Sequence, residues 1–513
     1  MESNPLGRPR LLEWAHRRAA HPTEGSAVDD LLQGKSDTAI AEGRGLPRAT
    51  VVGIRSFYDQ VEPIPRVCDG TACHFSGSTA LRERLTTIGP VGGVRCLGHC
   101  YAAPAFRSGD RVFARPRRAT VESWLAEWGE GPEPLEDLVP VHRESLAEEP
   151  VVFRHLVRGA PPADFADYDL PAGEAVLAAL EAARLRGRGG AAYPTAAKWK
   201  AARDTPAPER WVVANGDEGD PGSYVDRLLL EEDPQAILAG MLACGRAIGA
   251  RRGVVYIRAE YPRAQASMRE AIGAARQAGH LGKPFDVEVI SGAGSYVCGE
   301  ETALLRSIEG LRGEPRPKPP FPAQAGLFGL PTVVQNVETL SIVPWIARTG
   351  RGSGTKAVSV SGAVRRPGAF EVSLGIPLRR VLEEGAGGAP AGRRWTMALV
   401  GGPMGRVLPE RWFDRPLSYE ALPGMGHAGV VVLDETVSPR ALAEHLFAFA
   451  RAESCGTCTP CRVGTAQLAA LRDRSGLGRL LDTLEMGSLC GFGQGVPRPI
   501  RDLLEHFGDA VLP

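Results

Sequence analysis

WVVANGDEGDPG, residues 211–222, is the stretch from which the fold can be read. Trp211 to Ala214 is a short apolar run, and it ends in an acidic, glycine-rich turn from Asn215 to Gly222. A brief apolar run bounded by turn residues reads as a strand buried on both faces, the kind found inside parallel sheets. The pattern recurs outward from here. Gly253 to Ile257 and Phe285 to Ile290 are similar runs, with helix-like stretches between them. This βαβ rhythm over residues 151–345 predicts a mostly parallel α/β domain.

Ligands in open α/β sheets bind beyond the carboxyl ends of the strands. The carboxylates of Asp217, Glu218 and Asp220 stand at such an end, where they suit ribose or ribityl hydroxyls and oppose an additional phosphate. A solvated acidic turn is the plainer alternative. Two further loops repeat the logic. Gly187-Arg188-Gly189-Gly190 leads through Tyr193 and Pro194 into a helix carrying Lys198, and a helix N-terminus favours an anion. It is neither G-x-G-x-x-G nor a P-loop. Gly292 to Thr302 (GAGSYVCGEET) brings Tyr296, Gly299, Glu300 and Glu301 to the start of another helix. Lys318, Phe321, Asn336 and Thr339 follow downstream.

Eight of the ten cysteines fall into two clusters. Cys68 and Cys73 precede Cys96 and Cys100, and Cys455, Cys458 and Cys461 precede Cys490. Four thiolates suit zinc or an iron–sulfur cluster. Spacings of four and three residues fit a two-iron cluster better than the C-x2-C pairs of structural zinc. Three close cysteines with one remote partner suit a cubane, and zinc is the competitor there too. His74 and His99 adjoin the first set as packing residues, and Cys244 and Cys298 read as packed free thiols.

The chain has 513 residues, with 60 basic and 60 acidic side chains. That balance gives no support to nucleic-acid or membrane-surface binding. No apolar run is long enough to span a bilayer and MESNPLGRPRLLEW has no signal core, so the expected location is cytoplasmic. Cysteine clusters in a cytosolic chain point to metal, not disulfides. Of the basic residues only six are Lys, at 35, 198, 200, 283, 318 and 356.

Residues 30–110, with Val52-Gly-Ile-Arg-Ser-Phe-Tyr58 ahead of the first cluster, resemble the thioredoxin-like [2Fe–2S] subunit of complex I-type NADH dehydrogenases. Residues 150–513 resemble the flavin-bearing, NADH-oxidising subunit of complex I and its relatives in NAD-reducing hydrogenases and NAD-linked formate dehydrogenases. The fold class this implies is α/β multidomain. It comprises a helical segment (1–60), a thioredoxin-like [2Fe–2S] domain (61–125), a linker (126–150) and a Rossmann-like FMN/NAD domain (151–345). A β-grasp-like domain (355–435) and a helical [4Fe–4S] domain (436–513) complete it.

The resemblance implies that Gly187, Arg188, Gly189, Gly190 and Lys198, with Asn215, Asp217, Glu218, Gly299, Glu300, Asn336 and Thr339, hold FMN. Tyr193, Tyr296, Glu301, Lys318 and Phe321 would contact NAD, and Glu218 would tune the flavin–nicotinamide contact. Cys68, Cys73, Cys96 and Cys100 are expected to carry [2Fe–2S], and Cys455, Cys458, Cys461 and Cys490 to carry [4Fe–4S]. Complex I members usually have Glu where Asp220 stands. That wording and the fusion of both modules favour the β subunit of a formate dehydrogenase, partnered by a subunit with a molybdenum or tungsten pterin site. The alternatives are the diaphorase of a nickel–iron hydrogenase, a complex I-like subunit, and a zinc-stapled nucleotide-binding assembly protein.

Overall fold

The computed structural model describes residues 26–62, 64–115, 140–157, 159, 165–471 and 475–511. The described residues begin with three helices, α1 (Ala27–Leu32), α2 (Asp37–Arg44) and α3 (Arg48–Arg55), within the helical segment expected over residues 1–60, of which 1–25 lie outside the described residues. Ser26 caps α1 by accepting from Asp29 N at 3.1 Å. The buried carboxylate of Asp30 is held by Lys35 and Arg44, each at 2.6 Å, which ties α1 to α2.

A four-stranded mixed sheet follows, built from β1 (Arg66–Cys68), β2 (Gly92–Val94), β3 (Ala105–Ser108) and β4 (Arg111–Ala114) in the order β2-β1-β3-β4. Helices α4 (Thr71–His74) and α5 (Ser78–Leu85) lie between β1 and β2. β1 pairs parallel with β2 and antiparallel with β3, so both turns bearing the first cysteine pairs leave the same edge of the sheet.

The expected linker is only partly a linker. Residues 126–139 lie outside the described residues, but His142–Ser145 forms strand β5 and pairs parallel with the later strand Gly368–Ser373. HRES has no apolar alternation because it is a half-exposed edge strand, so hydropathy could not mark it. Just beyond it, Val151, Val152 and Phe153 donate their N–H groups to the buried Glu371 carboxylate at 2.7, 2.9 and 2.8 Å.

The central domain contains the parallel sheet, in the order β8-β7-β6-β9. Its strands are β6 (Trp211–Gly216), β7 (Arg252–Ile257), β8 (Asp286–Ser291) and β9 (Thr332–Asn336), and all neighbours are parallel. Sequence reading supplied the first three within two residues and missed β9. The helices of eight residues or more in this domain are, in chain order, α6 (Gly173–Ala182), α7 (Thr195–Asp204), α8 (Val225–Glu232), α9 (Pro234–Ile248), α10 (Pro262–Gln277), α11 (Glu301–Ile308) and α12 (Val337–Thr349). Where α9 crosses α12, a Cβ on Gly240 would stand 2.1 Å from Leu340 O, so only glycine permits that approach.

Residues from β10 (Thr355–Gly362) through β11 (Gly368–Ser373), β12 (Trp395–Val400), β13 (Arg406–Pro409) and β14 (Gly429–Asp434) form the second β unit, with β5 added at its edge. It encloses its own core around Phe370, Phe413 and Val430. The chain ends in helices α13 (Pro439–Glu453), α14 (Thr459–Ala470), α15 (Leu477–Gly487), α16 (Gly491–Gly495) and α17 (Pro497–Phe507).

The N-terminal helices are not an appendage. Ala27, Leu31, Val51 and Ile54 share one core with Trp211, Val213, Val254 and Tyr256 of the parallel sheet. Leu31 is completely buried there. Leu31→Ala is therefore expected to cost about 2–5 kcal/mol of stability, the usual range for a buried Leu. Chemical denaturation followed through tryptophan fluorescence checks this, and a loss under about 0.5 kcal/mol would mean the helices do not complete the sheet.

Candidate functional site

Every loop singled out in the sequence leaves the carboxyl edge of the parallel sheet or faces it. The acidic turn follows β6, Arg258, Glu260 and Tyr261 follow β7, the loop at residues 292–300 follows β8, and Asn336 ends β9. Asn215 Nδ2 donates to Gly299 O at 3.0 Å, tying the acidic turn to the third loop. Arg188 N donates to Thr339 Oγ1 at 2.8 Å, and Asn336 Oδ1 accepts from Thr339 N at 3.2 Å, tying the first loop to β9 and α12. A Cβ on Gly189 would lie 3.0 Å from Asn336 Cβ, a tight approach that would push the first loop away from β9 by a few tenths of an ångström.

Several polar atoms on residues of these loops have no hydrogen-bond partner, although Arg188 Nη2 does donate to Ser353 Oγ at 3.0 Å. Arg188 is only 4 % exposed, yet its Nε and Nη1 make no hydrogen bond. The same holds for Thr195 Oγ1, at the start of α7, and for Asp217 Oδ2. Buried polar atoms are almost always satisfied. Donors and an acceptor left open beside three glycine-containing loops fit a ligand bearing phosphate and hydroxyls, as FMN does.

The carboxylates of the turn differ in environment. Burial raises Asp217 to about 8 against the pull of Arg258. Glu218 is 0 % exposed and is raised by burial to about 7. Its two oxygens accept from Asp226 N at 3.1 Å and Arg227 N at 3.0 Å, which fixes the first turn of α8. Glu218 thus braces the turn from inside. Asp220 is raised by burial to about 6 and accepts from Tyr296 OH at 2.5 Å.

Behind the turn, Asp226 accepts from Asn336 Nδ2 at 2.6 Å and from Glu338 N at 3.2 Å, while Glu338 pairs with the buried Lys356. His427 Nδ1 lies 3.7 Å from Asp226, and burial holds its imidazole down at about 3, hence neutral.

Lys198, Glu301, Lys318 and Glu300 form a chain of ion pairs at 3.2, 2.9 and 2.7 Å. Glu300 also caps α11, accepting from Thr302 N at 2.9 Å and Ala303 N at 3.0 Å. Burial would raise Glu301, but Lys198 and Lys318 outweigh it and hold the carboxylate low. Tyr193 and Phe321 are 53 % and 52 % exposed, unusual for aromatic side chains and suited to stacking on a planar ring.

The first four cysteines are all buried. Cys96 and Cys100 Sγ lie 3.6 Å apart, and Cys73 is pushed well up first by its hydrogen bond with Cys68, then by burial. The thiols thus form two pairs. Gly98 N donates to Cys96 Sγ at 3.3 Å, and Gly222 N, from the flavin-side turn, donates to Cys100 Sγ at 3.2 Å. In the second set Cys458 and Cys490 are the N-cap residues of α14 and α16, so helix N–H groups point at the cluster. Burial raises Cys461 to about 12 and Cys490 to about 11, against the hydroxyl of Ser454 and the N–H groups of Phe492 and Gly493. Glu300 and Cys455 add to the rise at Cys490, placing this set beside the third loop.

Sequence reading passed over the residues that join these centres. Arg95, next to Cys96, pairs with Glu453 at 3.2 Å, and Glu453 accepts from Tyr296 N at 3.1 Å. Arg227 Nε donates to Gly98 O at 3.0 Å. A charged run directly after a strand, as in Arg258-Ala-Glu260-Tyr261, was the available signal.

A glycine-cradled flavin region flanked by cysteine clusters defines the class: an NADH-oxidoreductase flavoprotein subunit with a [4Fe–4S] domain. The description Nuo51 FMN-binding domain matches residues 180–345, the SLBB domain residues 357–408, and the NADH-ubiquinone oxidoreductase-F iron-sulfur binding region residues 441–512. The chain is 41% identical over 357 residues to NADP-reducing hydrogenase subunit HndC of Solidesulfovibrio fructosivorans, covering 63% of this chain and 73% of that protein. It is 37% identical over 370 residues to the mitochondrial NADH-ubiquinone oxidoreductase 51 kDa subunit of Neurospora crassa, covering 65% and 75%. A chain in the crystal structure of NAD+-reducing [NiFe]-hydrogenase in the H2-reduced state superposes with TM-score 0.84 at 32% identity, covering 98% of this chain and 92% of that one. The chain belongs to the complex I 51 kDa-type family, with FMN-binding and [4Fe–4S] domains and NAD(H) as the family's substrate. Among the described residues no helix is long and apolar enough to cross a membrane.

A carboxyl group whose folded pKa lies above its unfolded value binds more protons when folded, so its contribution is complete below about pH 4 and is lost as pH rises through the folded value. With Asp217 at about 8, the flavin-free chain should lose stability between about pH 5 and about pH 8.5. Thermal unfolding at a series of pH values checks this: Asp217→Asn should flatten the decline, and an unchanged slope would contradict it.

Proposed function

We propose that this chain is the diaphorase subunit of an NAD-coupled nickel–iron hydrogenase, exchanging hydride between NAD(H) and FMN and single electrons with two iron–sulfur clusters. The observation that carries it is the likeness over 98% of this chain and 92% of a chain of the NAD+-reducing hydrogenase, at 32% identity. The N-terminal cysteine unit is inside that match. The fusion of both modules therefore does not single out formate dehydrogenase, the reading that Asp220 and the fusion favour in the sequence. A nickel–iron partner replaces the molybdenum or tungsten pterin subunit in this reading.

Bound FMN would supply the exchange between a hydride pair and single electrons. The glycine loop, with Arg188 and Thr195 open beside it, holds the anionic end of the flavin. Asn215, Asp217, Gly299, Glu300, Asn336 and Thr339 orient the remainder. Tyr193, Tyr296 and Phe321 stack on or flank the dinucleotide, and Glu301 and Lys318 meet its polar groups. Glu218 keeps the backbone of α8 in place behind them, as its two N–H partners require.

The first four cysteines fit a two-iron cluster. A separation of 3.6 Å between Cys96 and Cys100 suits two thiolates on one tetrahedral metal, whose edge is about 3.7 Å. Among the described residues no three of these thiols close to within 4.8 Å of one another, as a single zinc would need. The second set, three close cysteines and one remote, is read as the [4Fe–4S] site, in keeping with the iron-sulfur binding region matched over residues 441–512. The structure of residues 66–114 is accordingly read as the thioredoxin-like [2Fe–2S] module.

Metal analysis of the complex that co-purifies with this chain tests the partner. Nickel with iron is expected, and molybdenum or tungsten instead would restore the formate dehydrogenase reading. The acidic turn further gives NADH preference over NADPH. A kcat/KM for NADPH equal to that for NADH would defeat this.

A further inference from the structure

One buried cation lies between the flavin-side turn and the first cysteine cluster. Arg258 leaves the carboxyl end of β7 with its side chain 6 % exposed. Its Nη1 donates to Glu218 O at 2.8 Å, its Nη2 to Glu260 Oε1 at 2.7 Å, and its Nε lies 3.9 Å from Asp217 Oδ1. The guanidinium carbon lies 5.3 Å from the centroid of the Tyr261 ring. That ring also closes on the cluster loop: a Cβ on Gly98 would stand 2.7 Å from it, and Gly98 N is the donor to Cys96 Sγ. Tyr261 OH donates to the same Glu218 carbonyl at 3.0 Å.

Of the neighbouring cations, Arg95 is paired with Asp69 at 2.6 Å and with Glu453, and Arg227 pairs with Glu231 at 2.9 Å while donating to Gly98 O of the cluster loop at 3.0 Å. Tyr261 packs between the guanidinium and the cluster loop, so the charge of Arg258 stands close behind the Gly98 N–H that Cys96 Sγ accepts. Glu260 opposes that charge, but it is shared with Arg107, on whose guanidinium it also acts.

We infer that Arg258 is a positioning residue that sets the reduction potential of the first cluster while holding the Glu218 carbonyl of the flavin-side turn. The inference rests on the reading of Cys68, Cys73, Cys96 and Cys100 as the ligands of a [2Fe–2S] cluster. A cluster that takes up one electron gains one negative charge, and its potential follows the net charge and hydrogen bonds around it. In a buried setting that field is poorly screened. Arg258 therefore favours the reduced cluster, and Glu260 disfavours it. A residue that merely filled space would not produce opposite effects from these two neighbours.

The test is a redox titration of the purified holoenzyme followed by electron paramagnetic resonance, with iron content measured alongside. In Arg258→Gln the ratio of reduced to oxidised two-iron cluster at the wild-type midpoint should fall at least tenfold, a shift of about 59 mV for one electron. The four-iron midpoint should stay in place, and Arg258→Lys should restore most of the loss. Glu260→Gln should move the two-iron midpoint in the opposite direction, and it serves as the test if Arg258→Gln does not fold. An unmoved two-iron midpoint in either Gln variant, or equal shifts of both clusters, overturns the inference. Absence of any two-iron signal from the wild-type holoenzyme instead defeats the reading of the four cysteines, and is distinguished from failure of Arg258 by that control.

Discussion

The burial of carboxylates in the segment from Asp217 to Asp226 is the constraint to which the surrounding structure answers. An ionised carboxyl group taken out of water is costly unless it is given donors or kept protonated. Glu218 receives two backbone N–H groups, Asp226 receives Asn336 and the N–H of Glu338, and Asp220 receives Tyr296. Asp217 retains an unpartnered oxygen and is raised by burial to about 8. These partners come from four different elements. Satisfying the segment therefore draws α8, α12, β9 and the third glycine loop together at one sheet edge.

The same segment joins the two modules. Gly222 N donates to Cys100, Arg227 to Gly98, and Arg258 and Tyr261 stand between the turn and the loop that carries Cys96. On the other side, Tyr296 and Glu453 link the third loop to the helix that ends just before Cys455. Flavin region and both cysteine sets thus share backbone and side-chain contacts, not only proximity. That is the arrangement electron transfer between fixed centres requires, because the distances are set by folded elements and not by a flexible tether.

Much of this was legible in the residues. Apolar runs marked β6, β7 and β8, and turn residues marked the loops at their carboxyl ends. What escaped had physical reasons. Strand β5 is an edge strand with charged residues, and β9 is a five-residue run, Thr332–Asn336, that ends in the residue capping α12. The inward orientation of Glu218 depends on N–H groups eight and nine residues away, which no motif displays. Arg95, Arg258 and Glu453 matter through partners distant in sequence. The preference for formate dehydrogenase rested on one residue and on a fusion that the hydrogenase chain shares.

The central claim is that flavin site and both clusters form one electron-transfer body. Low-temperature electron paramagnetic resonance of the flavin-loaded chain after addition of NADH alone tests it most directly. The account expects signals from a reduced two-iron centre and a reduced four-iron centre. Bleaching of the flavin with both clusters left oxidised, while dithionite still reduces them, would contradict it.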